Sequence, residues 1–143
     1  MAAETIHKEH YITYLLRLAD DRLILGQRMS EWCGHGPELE EDLALANMAL
    51  DLIGHASALY GKAAEIEDEG RDEDYFAYFR DDTDFTNLQL VELPKGDFAF
   101  TMARMFLFSA FSYFQYQILI DGKDEQLKGL YGKHFKEIKY HLR

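Results

Sequence analysis

Asn47, Asp51 and His55 follow one another at intervals of four residues, which in a helix sets their side chains along a single strip. An aspartate and an imidazole so placed offer two ligands to a transition metal. Di-iron helical bundles use inward carboxylates and histidines because iron accepts mixed oxygen and imidazole donors, usually as Glu-x-x-His. The spacing here is Asp-x-x-x-His, and Lys62 and Glu65 continue the same strip. A solvated face or a contact between subunits accounts for the strip better than a metal does.

A second constellation, His134, Glu137 and His141, puts two histidines on the apolar face of a later helix with the glutamate beside them. Tyr140 stands three residues after Glu137, where a di-iron motif has histidine. The first and third long helices place no glutamate in the interior, so a full ligand set cannot be assembled. The expectation is a chain without metal or other cofactor of its own and without catalytic residues. Asp51, His55, His134, Glu137 and His141 are then hydrogen-bonded groups or the remnants of a vestigial site.

The third feature is Asp20-Asp21-Arg22, in which Arg22 falls at the centre of an apolar helix face and Asp20 points away from it. A buried arginine needs a partner, and Asp51 or Glu137 would put a cation where a metal otherwise sits. Snorkelling to the bundle edge or to a partner surface is the alternative. In Trp32-Cys33-Gly34-His35-Gly36-Pro37 the cysteine and histidine have no second pair nearby for zinc and no second thiol, so the segment is predicted to be a turn between helices.

These residues need long helices to position them. Tyr11, Leu15, Leu18, Leu25, Met29 and Trp32 recur at steps of three and four, predicting a helix from about Ile6 to Trp32. Pro37 suits a first helical position, with Glu38, Glu40, Glu41 and Asp42 favourable to the helix dipole, and a second helix is predicted from there to about Glu67. An acidic segment with Tyr75, Phe76, Tyr78 and Phe79 follows, predicted as a short helix and a long connection through Pro94 whose aromatics pin it to the bundle. Asp97 is the expected N-cap of a third helix with eight aromatics between Phe98 and Tyr116 and a thin polar edge of Thr101, Arg104, Ser112 and Gln115, read as the core helix. Asp124 is the expected cap of a fourth, with Leu127, Leu130, Tyr131, Phe135, Ile138 and Leu142 inward. The fold class is all-α: a single domain over 1–143, a ferritin-like four-helix bundle, up-down with one long connection. It has no stop signal at its end and is predicted to be incomplete there.

Composition narrows the function. The 143 residues carry 26 acids against 15 Lys and Arg, a formal charge of -11, which argues against a nucleic-acid partner because phosphate backbones demand a basic surface. The charge is uneven: residues 65–84 hold ten acids and two bases, whereas 123–143 hold six bases and three acids. One cysteine excludes a disulfide framework, and the start MAAETIHKEH lacks an apolar signal core, so a reducing cytoplasm is expected. The apolar stretch Phe98 to Ile120 raises the question of a membrane span, but Arg104 at its centre costs about 2.5–3.5 kcal/mol on insertion scales, and a buried helix is preferred.

The run Leu23 to Pro37 (LILGQRMSEWCGHGP), Glu41 to Asn47 (EDLALAN), Asp51 to Gly54, Gly70 to Asp74, Asn87 to Glu92, Gly96 to Ala99, Ala103-Arg104 and Lys136 to Arg143 together resemble the PaaC family, the structural subunits of bacterial phenylacetyl-CoA epoxidases. The resemblance spans nearly the whole chain. It implies a ferritin-like, non-catalytic subunit of an NADPH-dependent oxygenase of aerobic phenylacetate catabolism. A sister catalytic subunit there carries the di-iron centre and binds phenylacetyl-CoA. It also implies a homo- or hetero-oligomer with that subunit, and further helices beyond the segment matching Lys136 to Arg143. Arg22 and Ser109 depart from the family pattern, which has a smaller or apolar residue and an acid there. The rival reading is a stand-alone di-iron oxidase or monooxygenase using Asp51, His55, Glu137 and His141. A helical interaction protein unrelated to phenylacetate is a third.

Overall fold

The computed structural model describes residues 2–121 and 125–142, with side chains over 7–121 and 128–142. Among the described residues there are six α-helices and no strand: α1 (Ala2–Ser30), α2 (Leu39–Glu67), α3 (Glu73–Tyr78), α4 (Gln89–Glu92), α5 (Phe98–Ile120) and α6 (Glu125–His141). A single 3-10 turn, Asp82–Asp84, lies between α3 and α4. The expected cap Asp124 and the side chain of Leu127 lie outside the described residues. The chain divides into two compact units, Met1–Pro94 and Lys95–Arg143.

In the first unit α1 and α2 form an antiparallel hairpin. Leu15, Leu18, Leu25 and Met29 of α1 and Leu45, Leu52, Leu59 and Ala63 of α2 are all buried. Each buried leucine contributes about 1.5–3 kcal/mol relative to an exposed one. The helices pack tightly at Gly26, where a Cβ would lie 2.8 Å from Ile53 Cγ1 and 3.4 Å from the Ala49 carbonyl oxygen. A side chain there would wedge the hairpin open.

The turn between them departs from expectation at both edges. Regular helix stops at Ser30, and the backbone tightens into i→i+3 bonds from Glu31 to Arg28, Trp32 to Met29 and Cys33 to Ser30. Gly34 then adopts φ 82, open to glycine without strain. Its N–H donates to both carboxylate oxygens of Asp42, at 3.1 and 3.2 Å. Tying Asp42 back to the turn makes Glu38 the N-cap and starts α2 at Leu39 rather than at Pro37.

The connection after α2 turns on Asp68 (φ 55) and Gly70 (φ 76). Arg71 Nε donates to Glu67 at 2.7 Å, and its guanidinium lies 4.2 Å from the Tyr75 ring centroid. Asp72 caps α3 by accepting from the Tyr75 amide. Of the four aromatics expected to pin this segment, Phe76 is buried and Tyr75 half-buried, while Tyr78 and Phe79 are exposed at 67% and 74%. One turn of helix has only one inward face, so the other two rings point to solvent.

In the second unit α5 and α6 are also antiparallel, with ring centroids of Tyr113 and Phe135 5.1 Å apart and those of Tyr116 and Tyr131 5.4 Å apart. Asp97 caps α5 as expected, accepting from the Phe100 amide at 2.7 Å. α5, expected to be the core helix, is buried on one side only. Its polar edge is buried, with Thr101, Arg104 and Ser112 joined by Ser109, while Phe106, Phe111 and Phe114 are exposed at 60%, 48% and 63%. Thr101 hydroxyl donates to the Lys95 carbonyl at 2.8 Å, which accounts for one inward polar group. Of the described helices, only α2 is long and apolar enough to cross a membrane by length and composition.

Candidate functional site

The most heavily bonded group is Asp20, a fully buried carboxylate near the middle of α1. Oδ1 accepts from the Tyr60 hydroxyl of α2 and from Arg80 Nη2 at 2.5 Å. Oδ2 accepts from the Thr86 amide at 3.0 Å, the Thr86 hydroxyl at 3.3 Å and Arg80 Nη1 at 3.4 Å. Next in sequence, Asp21 accepts from the Leu88 amide at 2.7 Å. Asp20 does turn away from the apolar face, but the connection covers that side, so it is buried rather than wet.

Arg80 is held as firmly as the carboxylate it neutralises. Its Nε donates to the Phe76 carbonyl at 2.8 Å, Nη1 donates to the Asp84 carbonyl at 3.3 Å, and the guanidinium lies 4.3 Å from the Phe85 ring centroid. A carboxylate offers about four lone-pair sites, and five donors reach Asp20, so none remains for a metal or a substrate proton. Burial, reinforced by the Asp20 charge, raises the Tyr60 pKa, so its hydroxyl stays a donor. The hub therefore fastens the 71–94 connection onto the α1–α2 hairpin.

Asp21 carries a different electrostatic signature. Burial raises its pKa, against the lowering effects of the Leu88 amide and of Arg22, whose Nη1 is 4.0 Å from Asp21 Oδ2. A carboxylate whose folded pKa lies above its unfolded one adds stability below the unfolded value and loses it as pH rises through the folded value. Asparagine would keep the acceptor for Leu88 and remove the desolvated charge. Asp21→Asn is accordingly expected to match or exceed the wild type in urea unfolding at pH 7, with the gap closing as pH falls through the raised folded pKa towards the ordinary carboxylate value of 3.8. A variant less stable than the wild type at pH 7 while keeping its helicity would show that the Arg22 attraction outweighs burial.

The expected ligand positions fall in both units. On α2, Asn47 is exposed, Asp51 half-buried and His55 buried, so the strip is solvated only at its ends. On α6, His134 and His141 are buried and Glu137 is half-buried, with the His134 ring stacked on Tyr116 at 6.0 Å. Arg22 is fully buried and does not snorkel; it donates to the Leu18 carbonyl at 3.2 Å. Cys33 is exposed in the α1–α2 turn.

The donor chemistry does not fit a di-iron centre. In the first unit both buried carboxylates of α1 are engaged by the connection, and Arg22 beside them is a buried guanidinium; in the second, α5 contains no Asp or Glu and its one charge, Arg104, is buried. Fixed positive charge within either unit opposes a divalent cation there. Among the described residues, the three acids close enough to share an ion are Glu38, Glu40 and Glu41 at the solvated start of α2, where the helix dipole alone explains them. A cleft lined by Leu23, Ile53, Ala56 and Tyr60, with Glu73 and Asp74 at its mouth, has a volume of about 190 Å3.

Sequence reasoning found Asp20 and missed Tyr60, Arg80 and Thr86. The available signal was Arg80 itself, one of two bases in a run of ten acids.

Paired long helices of this length, joined through one long connection and carrying polar groups inside, define an all-α protein of the ferritin-like class. The chain belongs to the phenylacetic acid catabolic protein family, whose model matches residues 2–143. It is 50% identical over 130 residues to the C subunit of the 1,2-phenylacetyl-CoA epoxidase of Escherichia coli (strain K12), across 91% of this chain and 52% of that protein. The chain thus spans about half the length of the curated relative it matches.

Proposed function

We propose that this chain is a non-catalytic structural component of a cytoplasmic phenylacetyl-CoA epoxidase of aerobic phenylacetate catabolism, supporting a separate di-iron catalytic subunit. The observation that carries the reading is the 50% identity to the C subunit of such an epoxidase over nearly the whole chain. The donor chemistry supports it, since both buried carboxylates of α1 are occupied by the connection. What the chain contributes is rigidity: a hairpin clamped by a charged strap presents a fixed surface to a subunit whose own site needs precise support. Oxygen activation needs a metal or cofactor that side chains cannot replace, so that chemistry belongs to the partner.

The test is co-expression with the cognate catalytic subunit, size exclusion, and an NADPH-dependent assay with reductase present. The two proteins are expected to co-elute, with the catalytic subunit gaining stability or turnover, and this chain alone is expected to turn nothing over. Protein from iron-replete cells should hold less than about a tenth of an iron per chain, where a di-iron bundle holds two. Stoichiometric iron lost on changing Asp51, His55, Glu137 or His141 would instead establish the stand-alone oxidase.

A further inference from the structure

The cleft between the α1–α2 hairpin and α3 joins an apolar interior to an anionic mouth, all within the first unit. Leu23, Ile53, Ala56 and Ala77 line it with hydrocarbon, and the two alanines leave it open because a methyl group is all that each sends into the space. Glu73 and Asp74, the first two residues of α3, bring two exposed carboxylates. Glu73 Oε2 accepts from the Ser57 hydroxyl at 2.5 Å, which fixes that carboxylate at the cleft. The Tyr78 ring, 67% exposed, borders the same space one turn after Asp74.

The two bases of the acidic segment are engaged elsewhere. Arg71 is bound to Glu67 at 2.7 Å and to Glu69 at 3.3 Å, and Arg80 is bound to Asp20. The helix dipole favours acids in the first turn of α3, but it does not set hydrocarbon and an aromatic face beside them. Together the three features select a cation carried on a hydrocarbon stem. The stem leaves water for the alanine-lined space, while the charge stays at the mouth against carboxylate and ring. An anion is repelled there, and a neutral hydrocarbon gains nothing from the mouth. We infer that this cleft is a binding site for an alkylammonium or alkylguanidinium group, the chemistry shared by a free amine and a lysine or arginine side chain. The inference stands apart from the proposed structural role.

Titration of the purified protein with n-butylammonium at low ionic strength, followed by amide and methyl NMR shifts, tests it. Saturable shifts should centre on Ile53, Ala56 and Ala77. n-Propylammonium should bind about fourfold more weakly for its missing methylene. n-Butanol should bind at least about threefold more weakly, and butyrate should leave these signals in place. Asp74→Asn and Glu73→Gln should each weaken n-butylammonium binding about threefold. Ala77→Leu, which fills the cleft from α3 and leaves the hairpin unchanged, should abolish it, with circular dichroism confirming that each variant is folded. Should Ala77→Leu lose helicity, the two charge variants, both at exposed positions, decide the matter. A second arm separates the sources: zero-length carbodiimide coupling should join Glu73 or Asp74 to a lysine of the catalytic subunit if a side chain is the occupant, whereas n-butylammonium binding without such coupling marks a free amine. Shifts scattered over the acidic surface, an equal response to n-butanol, or binding indifferent to both charge variants would overturn the site.

Discussion

Replacing Asp20 by alanine is expected to cost about 3–5 kcal/mol of stability, the range for removing one partner of a buried ion pair. The loss is large because Arg80 would remain buried with its charge uncompensated, and because Tyr60 and the Thr86 amide would lose their acceptor as well. Asp20→Asn should fall between, since it keeps one oxygen acceptor but not the charge. Urea unfolding followed by circular dichroism gives the magnitude. Hydrogen exchange gives the location: the Thr86 and Leu88 amides should lose protection before the α1–α2 hairpin does. A loss below about 1 kcal/mol would mean that the strap is held by apolar contacts and that the carboxylate is incidental.

Phe76→Ala is the second large effect, expected to cost about 3–5 kcal/mol as a buried ring removed from a site that cannot collapse around it. The ring is 2% exposed, stacks on Tyr60 at 6.1 Å and meets Tyr75 edge-on at 5.4 Å. The Phe76 carbonyl also accepts from Arg80, so moving α3 disturbs the arginine that neutralises Asp20. Phe76→Leu, which keeps most of the volume, should cost about 1–1.5 kcal/mol. Because both residues hold one strap, the double variant Asp20→Ala, Phe76→Ala should lose at least ~0.5 kcal/mol less than the sum of the single losses. Strict additivity would show two independent attachments.

The two predictions share a cause that bears on how the resemblance to oxygenase subunits is understood. A ferritin-like interior that binds metal keeps its carboxylates available, whereas here α1 turns both of its buried carboxylates outward to the connection. Arg22, next in sequence, is buried as well.

Local rules were enough for much of the architecture. The 3.6-residue periodicity of Leu15, Leu18, Leu25 and Met29, the glycines after Trp32 and the cap at Asp97 each act within a few residues, and α1, α2 and α5 follow them to within a few positions. The departures came where a distant group intervened, as when Asp42 reached back to Gly34 and delayed the start of α2. Two aromatics of the acidic segment were misassigned because hydrophobicity does not say which of four neighbouring rings a single helical turn can bury.

What the sequence by itself determined was therefore the helix pattern, the all-α class, the family and the positions of the ionisable groups, because propensity, capping and periodicity are properties of neighbouring residues. Only the tertiary structure decided what those groups do. That Asp20 is saturated by Tyr60, Arg80 and Thr86, across separations of 40 to 66 residues, follows from how the connection lies over the hairpin. That α5 buries Arg104 and Ser112 and exposes Phe106, Phe111 and Phe114 could not be read from a wheel almost uniformly apolar. On such a helix every face gains from burial, so the choice of the inward one rests with the polar groups that find partners inside.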